Sequence, residues 1–424
     1  MQHPLTMHCR PVLSDLSQPV GCDSYRFEVA RQIIGKVDRN YLLDVVEQSG
    51  LAGCGGGSFP TGRKWRLYPP QSERPGPRYF IINADEMEPG TFKDRLLLED
   101  ETSLLIEGII LSSYILDANE CYVFVRGEYQ LAIERLMAGI EQAKMAGLLG
   151  TDILGSKFCL DIHVHRGAGR YICGEETALL NSLEGRRPVP RAKPPYPQVS
   201  GLWGAPTIVN NVETVANIPN IIKNGAQWYR SLGRNGGVGT KIFGVSGRVM
   251  RPGTYELPMG TTMRELIEDH AGGMRSGYRL RAVLPGGAST AFLSAEQLDT
   301  PMTPAAMMKS GTRLGTGTAI ILDDQTCPVG FIANLQRFFA RESCGFCTPC
   351  RDGLPWVSQI LDRIEAGKGR AEDLDRLSDL QNTLAAGNTF CALAPGAMAS
   401  LQSGLSLFRD DFVRHIEQGA CPWK

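Results

Sequence analysis

The sequence has no apolar run long enough to cross a membrane and almost no net charge. Its longest apolar stretch, residues 104–116, is interrupted by Glu107 and falls short of the roughly 20 residues that a membrane helix needs. The first eleven residues contain no continuous apolar segment of the kind found in signal peptides. The 44 basic residues nearly balance the 45 acidic ones, which argues against a nucleic-acid partner. We therefore expect a cytoplasmic chain that does not insert into a membrane.

The chain contains 424 residues and 12 cysteines. This length predicts about two to four domains. Disulfides are unexpected in a long chain without a signal peptide, and four of the cysteines fall in a pattern typical of a metal site.

A glycine-rich stretch from Gly167 to Asn181 carries the clearest ligand-binding pattern. An apolar run at 159–164 predicts a strand before it, and 177–183 has helical spacing after it. Glycines at such a strand-to-helix turn let the backbone approach a phosphate or a flat ring. Glu175 and Glu176 then fall in the first helical turn, where they either serve a ligand or simply suit the helix dipole.

Alternating strands and helices before this stretch predict a parallel sheet. The segments 79–83 and 120–127 are interpreted as strands, and 100–117 and 130–146 as helices. Ligands collect at the carboxyl ends of strands in such α/β folds. Three acidic residues, Asp85, Glu86 and Glu88, follow the first strand directly, and are more than solubility requires.

The other glycine-dense segment, 53–62, comes first in the chain and is followed by Lys64. It follows a helix and runs into Pro60, so it does not match the dinucleotide fingerprint, which follows a strand and opens a helix. Its amides and the lysine are suited to holding a phosphate or a flavin. The alternative is a flexible surface loop.

From Thr240 the pattern changes to ββαβ, which predicts a small β-grasp domain of about 90 residues. We find no catalytic constellation in it and interpret it as a spacer or docking unit.

The last hundred residues predict four amphipathic helices, and hence a four-helix bundle. Cys344, Cys347 and Cys350 follow a C-x-x-C-x-x-C spacing, and Cys391 lies in the next-but-one connection between helices. This arrangement is typical of a [4Fe-4S] cluster, whereas structural zinc more often uses two separated C-x-x-C pairs. Zinc and redox-inert cysteines remain alternatives.

An iron-sulfur cluster beside a nicotinamide site requires a cofactor that converts two-electron transfer to one-electron transfer. Nicotinamide transfers two electrons as a hydride, whereas an iron-sulfur cluster accepts one at a time. A flavin converts between the two, and two separate glycine-rich loops are consistent with a flavin mononucleotide and a dinucleotide in one cleft.

Five motifs together carry a family resemblance. They are G-x-G-G-x-x-F-P-T-G-x-K-W, N-A-D-E-M-E-P-G-T-F-K-D-R, G-A-G-R-Y-I-C-G-E-E-T-A-L-L-N-S-L-E-G, V-N-N-V-E-T and E-S-C-G-F-C-T-P-C-R-D-G. In this order, from about residue 35 to 410, the chain closely resembles the NADH-binding flavoprotein subunit of bacterial respiratory complex I, an NADH:quinone oxidoreductase.

The resemblance implies an FMN site, an NADH site and a [4Fe-4S] cluster. It places FMN at Gly55, Gly56, Lys64, Asn83, Asp85, Glu86, Gly174, Asn210 and Asn211. It places NADH at Phe59, Glu88, Tyr171, Glu175, Glu176 and Lys193, with Glu88 and Glu175 nearest the chemistry. The implied cluster ligands are the four cysteines already named.

The first glycine loop departs from the family, with Cys54 in place of an arginine and Ser58 in place of a glycine. Losing a cation near a flavin phosphate should weaken binding, and a Cβ at position 58 is poorly suited to backbone angles that glycine allows. We also consider that Cys54 is a partly activated thiol, stabilised by loop amides and Lys64.

The resemblance also implies an architecture and partners. We expect an N-terminal helical and glycine-loop region at 1–65, an α/β Rossmann-like FMN and NADH domain at 66–235, a β-grasp, or ubiquitin-like, domain at 236–326 and a four-helix cluster domain at 327–424. A small [2Fe-2S] subunit and a large iron-sulfur subunit are the implied partners, on the inner face of the plasma membrane. The alternatives are a diaphorase subunit of an NAD-linked hydrogenase or formate dehydrogenase, and a flavin-poor structural paralogue.

Overall fold

The computed structural model describes residues 27–423. The N-terminal segment in which the signal peptide was sought therefore lies outside the described residues. Within 27–423, no helix has the length and apolar character needed to span a bilayer.

The first sheet has four parallel strands in the order β3-β2-β1-β4. Their bounds are β1 Tyr79–Ala84, β2 Glu120–Val125, β3 Asp161–Arg166 and β4 Thr207–Asn211. Since all four run the same way, their carboxyl ends share one edge. The loops that carry the acidic residues, the second glycine stretch and the asparagine pair all leave from this edge.

Ten helices accompany this sheet in the described part of the chain. They are α1 Glu28–Ile33, α2 Arg39–Ser49, α3 Thr61–Arg66, α4 Lys93–Asp100, α5 Thr102–Leu116, α6 Gln130–Met145, α7 Glu176–Leu183, α8 Val212–Ala216, α9 Ile218–Asn224 and α10 Ala226–Ser231.

The predicted elements of this region are present with three differences. The helix expected at 100–117 is α5, and a separate helix, α4, precedes it across Glu101. The strand expected at 159–164 begins and ends two residues later. Strand β4 was not predicted, because Asn210 and Asn211 make its short sequence resemble a polar turn.

The second sheet has five strands in the order β6-β5-β9-β7-β8. They are β5 Thr240–Ser246, β6 Gly253–Pro258, β7 Leu280–Leu284, β8 Leu293–Ser294 and β9 Thr318–Asp323, accompanied by helices α11 Met263–Glu265 and α12 Pro304–Lys309. A capping box between Thr262 and Glu265 begins α11, which continues as a π-helical turn to His270. The predicted ββαβ order is present, and β8 and β9 extend it; β9 pairs parallel with β5.

The C-terminal region is helical. Its helices are α13 Pro328–Glu342, α14 Thr348–Glu365, α15 Glu372–Thr383, α16 Leu393–Leu407 and α17 Arg409–Gln418. The four predicted helices are present, and α17 is a fifth that was missed. It follows α16 after one residue, and its first turn is charged, so its apolar face is short.

The two faces of the first sheet enter different hydrophobic cores. In β1, Phe80 and Ile82 pack with α5 and the N-terminal helices, whereas Tyr79 and Ile81 join a core that includes Leu284 of the second sheet and residues of α13–α16. This alternation is the period of two expected for a strand covered on both faces. The second core therefore holds the three regions together against one face of the first sheet.

Candidate functional site

An open cleft of about 1170 Å³ lies at the carboxyl edge of the first sheet. All three regions contribute to its walls. Of the fifteen residues predicted for FMN and NADH, ten line it: Gly55, Gly56, Asn83, Asp85, Glu86, Glu88, Tyr171, Gly174, Glu175 and Asn211.

The first glycine loop forms one wall of the cleft through Gly55, Gly56 and Gly57. A Cβ on Gly55 would lie 3.1 Å from Cβ of Asn211, and Gly56 has φ of +113°. Ser58, where the family has glycine, has φ of +49°. The expectation that position 58 requires a glycine-like backbone is therefore confirmed, and the serine holds a conformation that costs an L-residue roughly 1–2 kcal/mol.

Asp85 is an acid without a partner in the cleft wall. Both of its carboxylate oxygens are buried and accept no hydrogen bond from the described residues. Burial raises its pKa to about 7, although the nearby Arg126 guanidinium opposes the rise. A buried polar group normally has a hydrogen-bond partner, so this carboxyl group is suited to a ligand.

Glu86 has its partners within the protein. Its carboxylate accepts hydrogen bonds from the amides of Asp94 and Arg95, at 2.8 and 3.1 Å, and from the Tyr129 hydroxyl at 3.0 Å. Burial, followed by the charge of Asp94, raises the pKa of Glu86 to about 7. Glu86 therefore holds the first turn of α4 against the cleft.

Glu88 joins two walls of the cleft. Its Oε2 accepts a hydrogen bond from the Tyr171 hydroxyl at 2.7 Å, and its Oε1 accepts one from the Ser289 amide at 2.7 Å. Burial raises the pKa of Glu88, and these hydrogen bonds oppose the rise. The carboxyl group is thus held in one orientation beside the Tyr171 ring.

A buried ionic network, missed in the sequence, supports the floor of the cleft. The Lys93 ammonium lies 2.6 Å from Asp94 and 2.8 Å from Glu213, and donates to Asn211 Oδ1 at 3.2 Å. Asn211 in turn donates to Asp94 at 2.6 Å and caps α8. Lys93 and Asp94 lie within the second quoted motif, which was the available signal.

The two glutamates of the second glycine stretch have different roles. Glu175 caps α7, because its Oε2 accepts from the amides of Thr177 and Ala178, both at 2.9 Å. Glu176 lies between two lysines, with Lys64 2.9 Å from Oε2 and Lys193 2.9 Å from Oε1. Burial opposes its ionisation, but the two cations lower the pKa of Glu176 below its usual range.

Five of the residues predicted for FMN and NADH do not line this cleft: Phe59, Lys64, Glu176, Lys193 and Asn210. Phe59 is 53% exposed, which leaves its ring accessible to a ligand. Asn210 is buried, and its Oδ1 accepts a hydrogen bond from the Trp65 indole at 2.8 Å. Asn210 therefore serves packing, whereas Lys64, Glu176 and Lys193 form the charged group described above.

The second sheet is more than a spacer, contrary to our expectation. Loops around β7 and β9 provide five residues of the cleft wall: Gly286, Ser289, Arg313, Gly315 and Thr316. Gly287 beside them has φ of +98°, and a Cβ there would lie 2.6 Å from Glu88 Cγ. These residues are scattered over about thirty positions and form no motif, so the sequence gave no signal for them, and only the fold brings them to the cleft.

The four predicted cluster cysteines line one small cavity. Cys344 and Cys347 lie between α13 and α14, Cys350 is in the first turn of α14 rather than in the connection, and Cys391 precedes α16. Burial is the largest cause that raises the pKa of Cys350 to about 12, and the other three thiols add to it. The remaining walls are mostly apolar, so four thiols around one small space fit a [4Fe-4S] cluster.

Three residues, Ile172, Cys391 and Leu393, line both the cleft and the cysteine cavity. The two sites are therefore neighbours, and one of the four predicted cluster cysteines lies between them.

Cys54 is not an activated thiol. It is buried, and burial raises its pKa to about 11, followed by the charge of Glu213. Its Sγ donates to the Ala52 carbonyl at 3.4 Å, while Lys64 contacts Glu176 instead. The expectation of a stabilised thiolate is therefore wrong, because the Cys54 side chain is turned into the protein and does not line the cleft.

The cleft, the adjoining four-cysteine cavity and the unpartnered acid define the class: an electron-transfer protein that combines a flavin and nucleotide site with an iron-sulfur cluster. Residues 46–220 match the family described as the Nuo51 FMN-binding domain, 241–322 the SLBB domain, and 330–415 the iron-sulfur binding region of NADH-ubiquinone oxidoreductase-F. The chain belongs to the family formed by the F subunits of NADH-quinone oxidoreductases.

Relatives support this membership over nearly the whole chain. The chain is 50% identical over 420 residues to the F subunit of NADH-quinone oxidoreductase from Salmonella typhimurium and to that from Escherichia coli, covering 98% of this chain and 93% of each relative. It also resembles a chain of NAD+-reducing [NiFe]-hydrogenase in the H2-reduced state, with a TM-score of 0.82 and 36% identity. That match covers 93% of this chain but only 65% of the hydrogenase chain.

Proposed function

We propose that this chain oxidises NADH by hydride transfer to FMN and passes the electrons singly to a [4Fe-4S] cluster, as the electron-input subunit of a respiratory NADH:quinone oxidoreductase. The single observation that carries this proposal is the cleft that shares Cys391 with the cysteine cavity. When bound, FMN supplies the change from two-electron to one-electron chemistry that nicotinamide and the cluster require.

FMN is assigned to the inner part of the cleft. The glycines at 55 and 56 leave room for a flat or phosphorylated group, and Asn83, Asp85, Gly174 and Asn211 provide polar atoms around it. The free oxygens of Asp85 support this assignment, since a ligand N–H or O–H would satisfy them. Glu86 contributes by fixing α4, and Lys64 and Asn210 by holding neighbouring elements in place.

NADH is assigned to the outer part of the cleft. Phe59 offers an exposed ring for stacking, and Tyr171 and Glu175 lie in the cleft wall. Glu88, oriented by Tyr171 and Ser289, is the acidic group nearest the proposed chemistry. Glu176 and Lys193 form a charged pair suited to the ribose and phosphate groups of the dinucleotide.

The cluster ligands are Cys344, Cys347, Cys350 and Cys391. Their surroundings are mostly apolar, and Cys391 adjoins the cleft from which the cluster would receive electrons.

The architecture supports the more detailed assignments that the resemblance implies. We assign residues 66–235 to a Rossmann-like domain, since a parallel sheet with helices on both sides carries the cleft at its carboxyl edge. We assign 236–326 to a β-grasp domain and 327–424 to a helical cluster domain, with 1–65 preceding them. The parallel β5–β9 pair at the centre of a mixed sheet supports the β-grasp assignment.

The partners are assigned by family membership. The relatives are named as one subunit of a multisubunit oxidoreductase, which supports assembly of this chain with others. We propose a small [2Fe-2S] subunit and a larger iron-sulfur subunit as neighbours, on the inner face of the plasma membrane.

One alternative has a specific observation in its favour. The similarity to a chain of an NAD+-reducing hydrogenase is compatible with a diaphorase subunit of a hydrogenase, or of a formate dehydrogenase. The 50% identity with quinone-reductase subunits over the full length favours the main proposal. A flavin-poor paralogue is disfavoured because the cleft retains the polar residues assigned to the flavin.

Cofactor analysis followed by an NADH:ferricyanide assay tests the function. The purified chain with its neighbouring subunits should release FMN on denaturation, show iron-sulfur absorbance and reduce ferricyanide with NADH. Cluster absorbance without released flavin or NADH oxidation would instead identify the structural paralogue.

A further inference from the structure

A second group of metal-binding side chains lies in the helical region, outside the cleft and the cysteine cavity. It consists of Cys327, Glu365, His415 and Cys421, whose ligand atoms all lie within 4.8 Å of one another. These residues come from four separate places: the residue before α13, the last residue of α14, α17 and the tail after it. Helix α13 alone spans 15 residues, about 22 Å, between Cys327 and the first cluster cysteine.

Three of the four ligand atoms have the spacing of one coordination shell, and Cys421 Sγ lies within 4.8 Å of each of them. Cys327 Sγ lies 3.3 Å from His415 Nε2 and 3.5 Å from Glu365 Oε2, and the latter two atoms are 3.4 Å apart. Zinc bonds of about 2.0–2.3 Å at tetrahedral angles separate neighbouring ligand atoms by about 3.3–3.8 Å. The side chains are thus already spaced around a point that could hold an ion.

Backbone contacts fix the positions of two of the ligands, His415 and Cys327. His415 is fully buried, and its Nδ1 donates to the Asp411 carbonyl at 2.6 Å, which leaves the Nε2 lone pair directed at the other three residues. This is the usual outer contact of a metal-bound histidine. Cys327 Sγ accepts a hydrogen bond from the Gly330 amide at 3.2 Å at the start of α13, which fixes its position beside the other ligands.

We propose that Cys327, Glu365, His415 and Cys421 bind one structural Zn²⁺. Two thiolates, one imidazole and one carboxylate suit zinc, and four protein ligands leave no open position for a substrate. Binding releases the two thiol protons and changes no oxidation state. The ion fastens the C-terminal tail to the beginning of α13 and the end of α14, next to the junction with the second sheet.

The contacts of the tail agree with this role. The Trp423 ring stacks on His415, with centroids 5.8 Å apart and planes 17° apart, and Arg281 and Arg414 lie over the same indole. Arg281 belongs to β7, so the tail contacts two regions at once. Losing the ion should therefore loosen the tail without touching the cleft.

The test uses the full chain copurified with its partner subunits. Zinc is measured per FMN by mass spectrometry in the unaltered protein and in the variants Cys421→Ser and Glu365→Gln, with Cys159→Ser as the cysteine control. We expect about one zinc per chain in the unaltered protein and in Cys159→Ser. The zinc should be absent from Cys421→Ser, and the zinc content of Glu365→Gln should be reduced. Iron and FMN should be unchanged in all of them, which shows that each variant folds.

Zinc-edge X-ray absorption of the unaltered protein tests the ligand set independently of any variant. Two sulfur neighbours at about 2.3 Å and two nitrogen or oxygen neighbours at about 2.0–2.1 Å are expected. Absence of zinc, zinc equally retained in Cys421→Ser, or a spectrum without sulfur would overturn the proposal. So would a non-reduced peptide map in which Cys327 is linked to Cys421, because it would identify a disulfide at this position instead.

Discussion

The Tyr171 hydroxyl donates a 2.7 Å hydrogen bond to Glu88 Oε2 across the cleft wall. This contact joins the loop after β1 to the short 3₁₀ turn that precedes α7, and the Ser289 amide adds the second sheet from the other side of the carboxylate. Glu88 is thus oriented by two segments distant in sequence, and Ser289 lies 201 residues after it. The Tyr171 ring packs against Phe338 and Phe339, so its position does not depend on the hydroxyl. Removing the hydroxyl should therefore affect only the orientation of the Glu88 carboxylate.

Tyr171→Phe should lower kcat/KM for NADH by roughly tenfold, because a hydrogen bond to a charged or nearly charged carboxyl group contributes about 1.5–3 kcal/mol. The ring packing is retained, so FMN and iron content should stay unchanged. Steady-state NADH:ferricyanide kinetics provide the measurement. Tyr41→Phe, which removes an exposed hydroxyl elsewhere, is the matched control, and equal kinetics in the two variants would remove Glu88 orientation from the proposal.

Asp85 predicts a pH dependence of stability in the flavin-free protein. Its pKa is raised from 3.8 to about 7, so the folded state holds an extra proton between these values. Stability should therefore fall as pH rises from about 4 to about 7, by up to about 4 kcal/mol from this group. Asp85→Asn cannot ionise and should remove that part of the slope.

Urea unfolding of the flavin-free protein at several pH values measures this slope. Asp375→Asn, an exposed substitution in α15, is the control and should leave it unchanged. A slope that is identical in Asp85→Asn and the unaltered protein would assign the pH dependence to other groups, with Glu86 the next to test.

The elements of the fold that follow from local pattern were predictable, and those that depend on pairing were not. Strands β1 and β2 are buried apolar runs, and the helices of the C-terminal region repeat at three and four residues. Strand β4 ends in Asn210 and Asn211, which have no strand pattern of their own and pair with β1 only because it is already present. Helix α17 was missed for the related reason that its charged first turn conceals a short apolar face.

The candidate site divides in the same way. Residues inside contiguous motifs were found, and so was the rule that brings them to one edge of a parallel sheet. Ser289 and Arg313 were missed because they reach the cleft through a second sheet. Lys93 and Asp94 were missed although they lie in a quoted motif, since their importance comes from burial against Glu213 and Asn211, which spacing does not report.

Ser58→Gly should stabilise the protein by about 1 kcal/mol, because it removes a Cβ from a residue with φ of +49°. The loop borders the cleft, so FMN should also dissociate more slowly. Lys157→Gly is a matched control: Lys157 has φ of +61° but is remote from the cleft, so it should gain stability without any change in flavin release. Thermal unfolding and the FMN off-rate are the two measurements, and a destabilised Ser58→Gly would contradict the strain at this position.

Cys347→Ser should remove the [4Fe-4S] cluster and destabilise the helical region, because the binding energy of a metal centre is part of its folding energy. Iron should fall by about four atoms per chain. Cys159→Ser, distant from the cavity, should change neither iron content nor thermal stability. Unchanged iron and unchanged stability in Cys347→Ser would show that the cavity does not hold a cluster.

The choice between NADH and NADPH is expected to depend on Glu176. A carboxylate at a dinucleotide site accepts hydrogen bonds from ribose hydroxyls and repels the 2′-phosphate of NADP. Here the carboxylate also neutralises Lys64 and Lys193, which lie 2.9 Å from its two oxygens. Glu176→Ala would therefore remove the repulsion and leave two cations available to a phosphate.

We accordingly expect the unaltered protein to prefer NADH strongly, and Glu176→Ala to lose NADH efficiency while gaining NADPH efficiency. A selectivity change of roughly tenfold to several hundredfold corresponds to about 1.5–3.5 kcal/mol, which one charge-assisted pair and one like-charge contact can supply. The ratio of kcat/KM for the two nucleotides measures it. Glu175→Ala is the comparison, because Glu175 caps α7 and lines the cleft; a ratio that moves there and not in Glu176→Ala would transfer the discriminating role to Glu175.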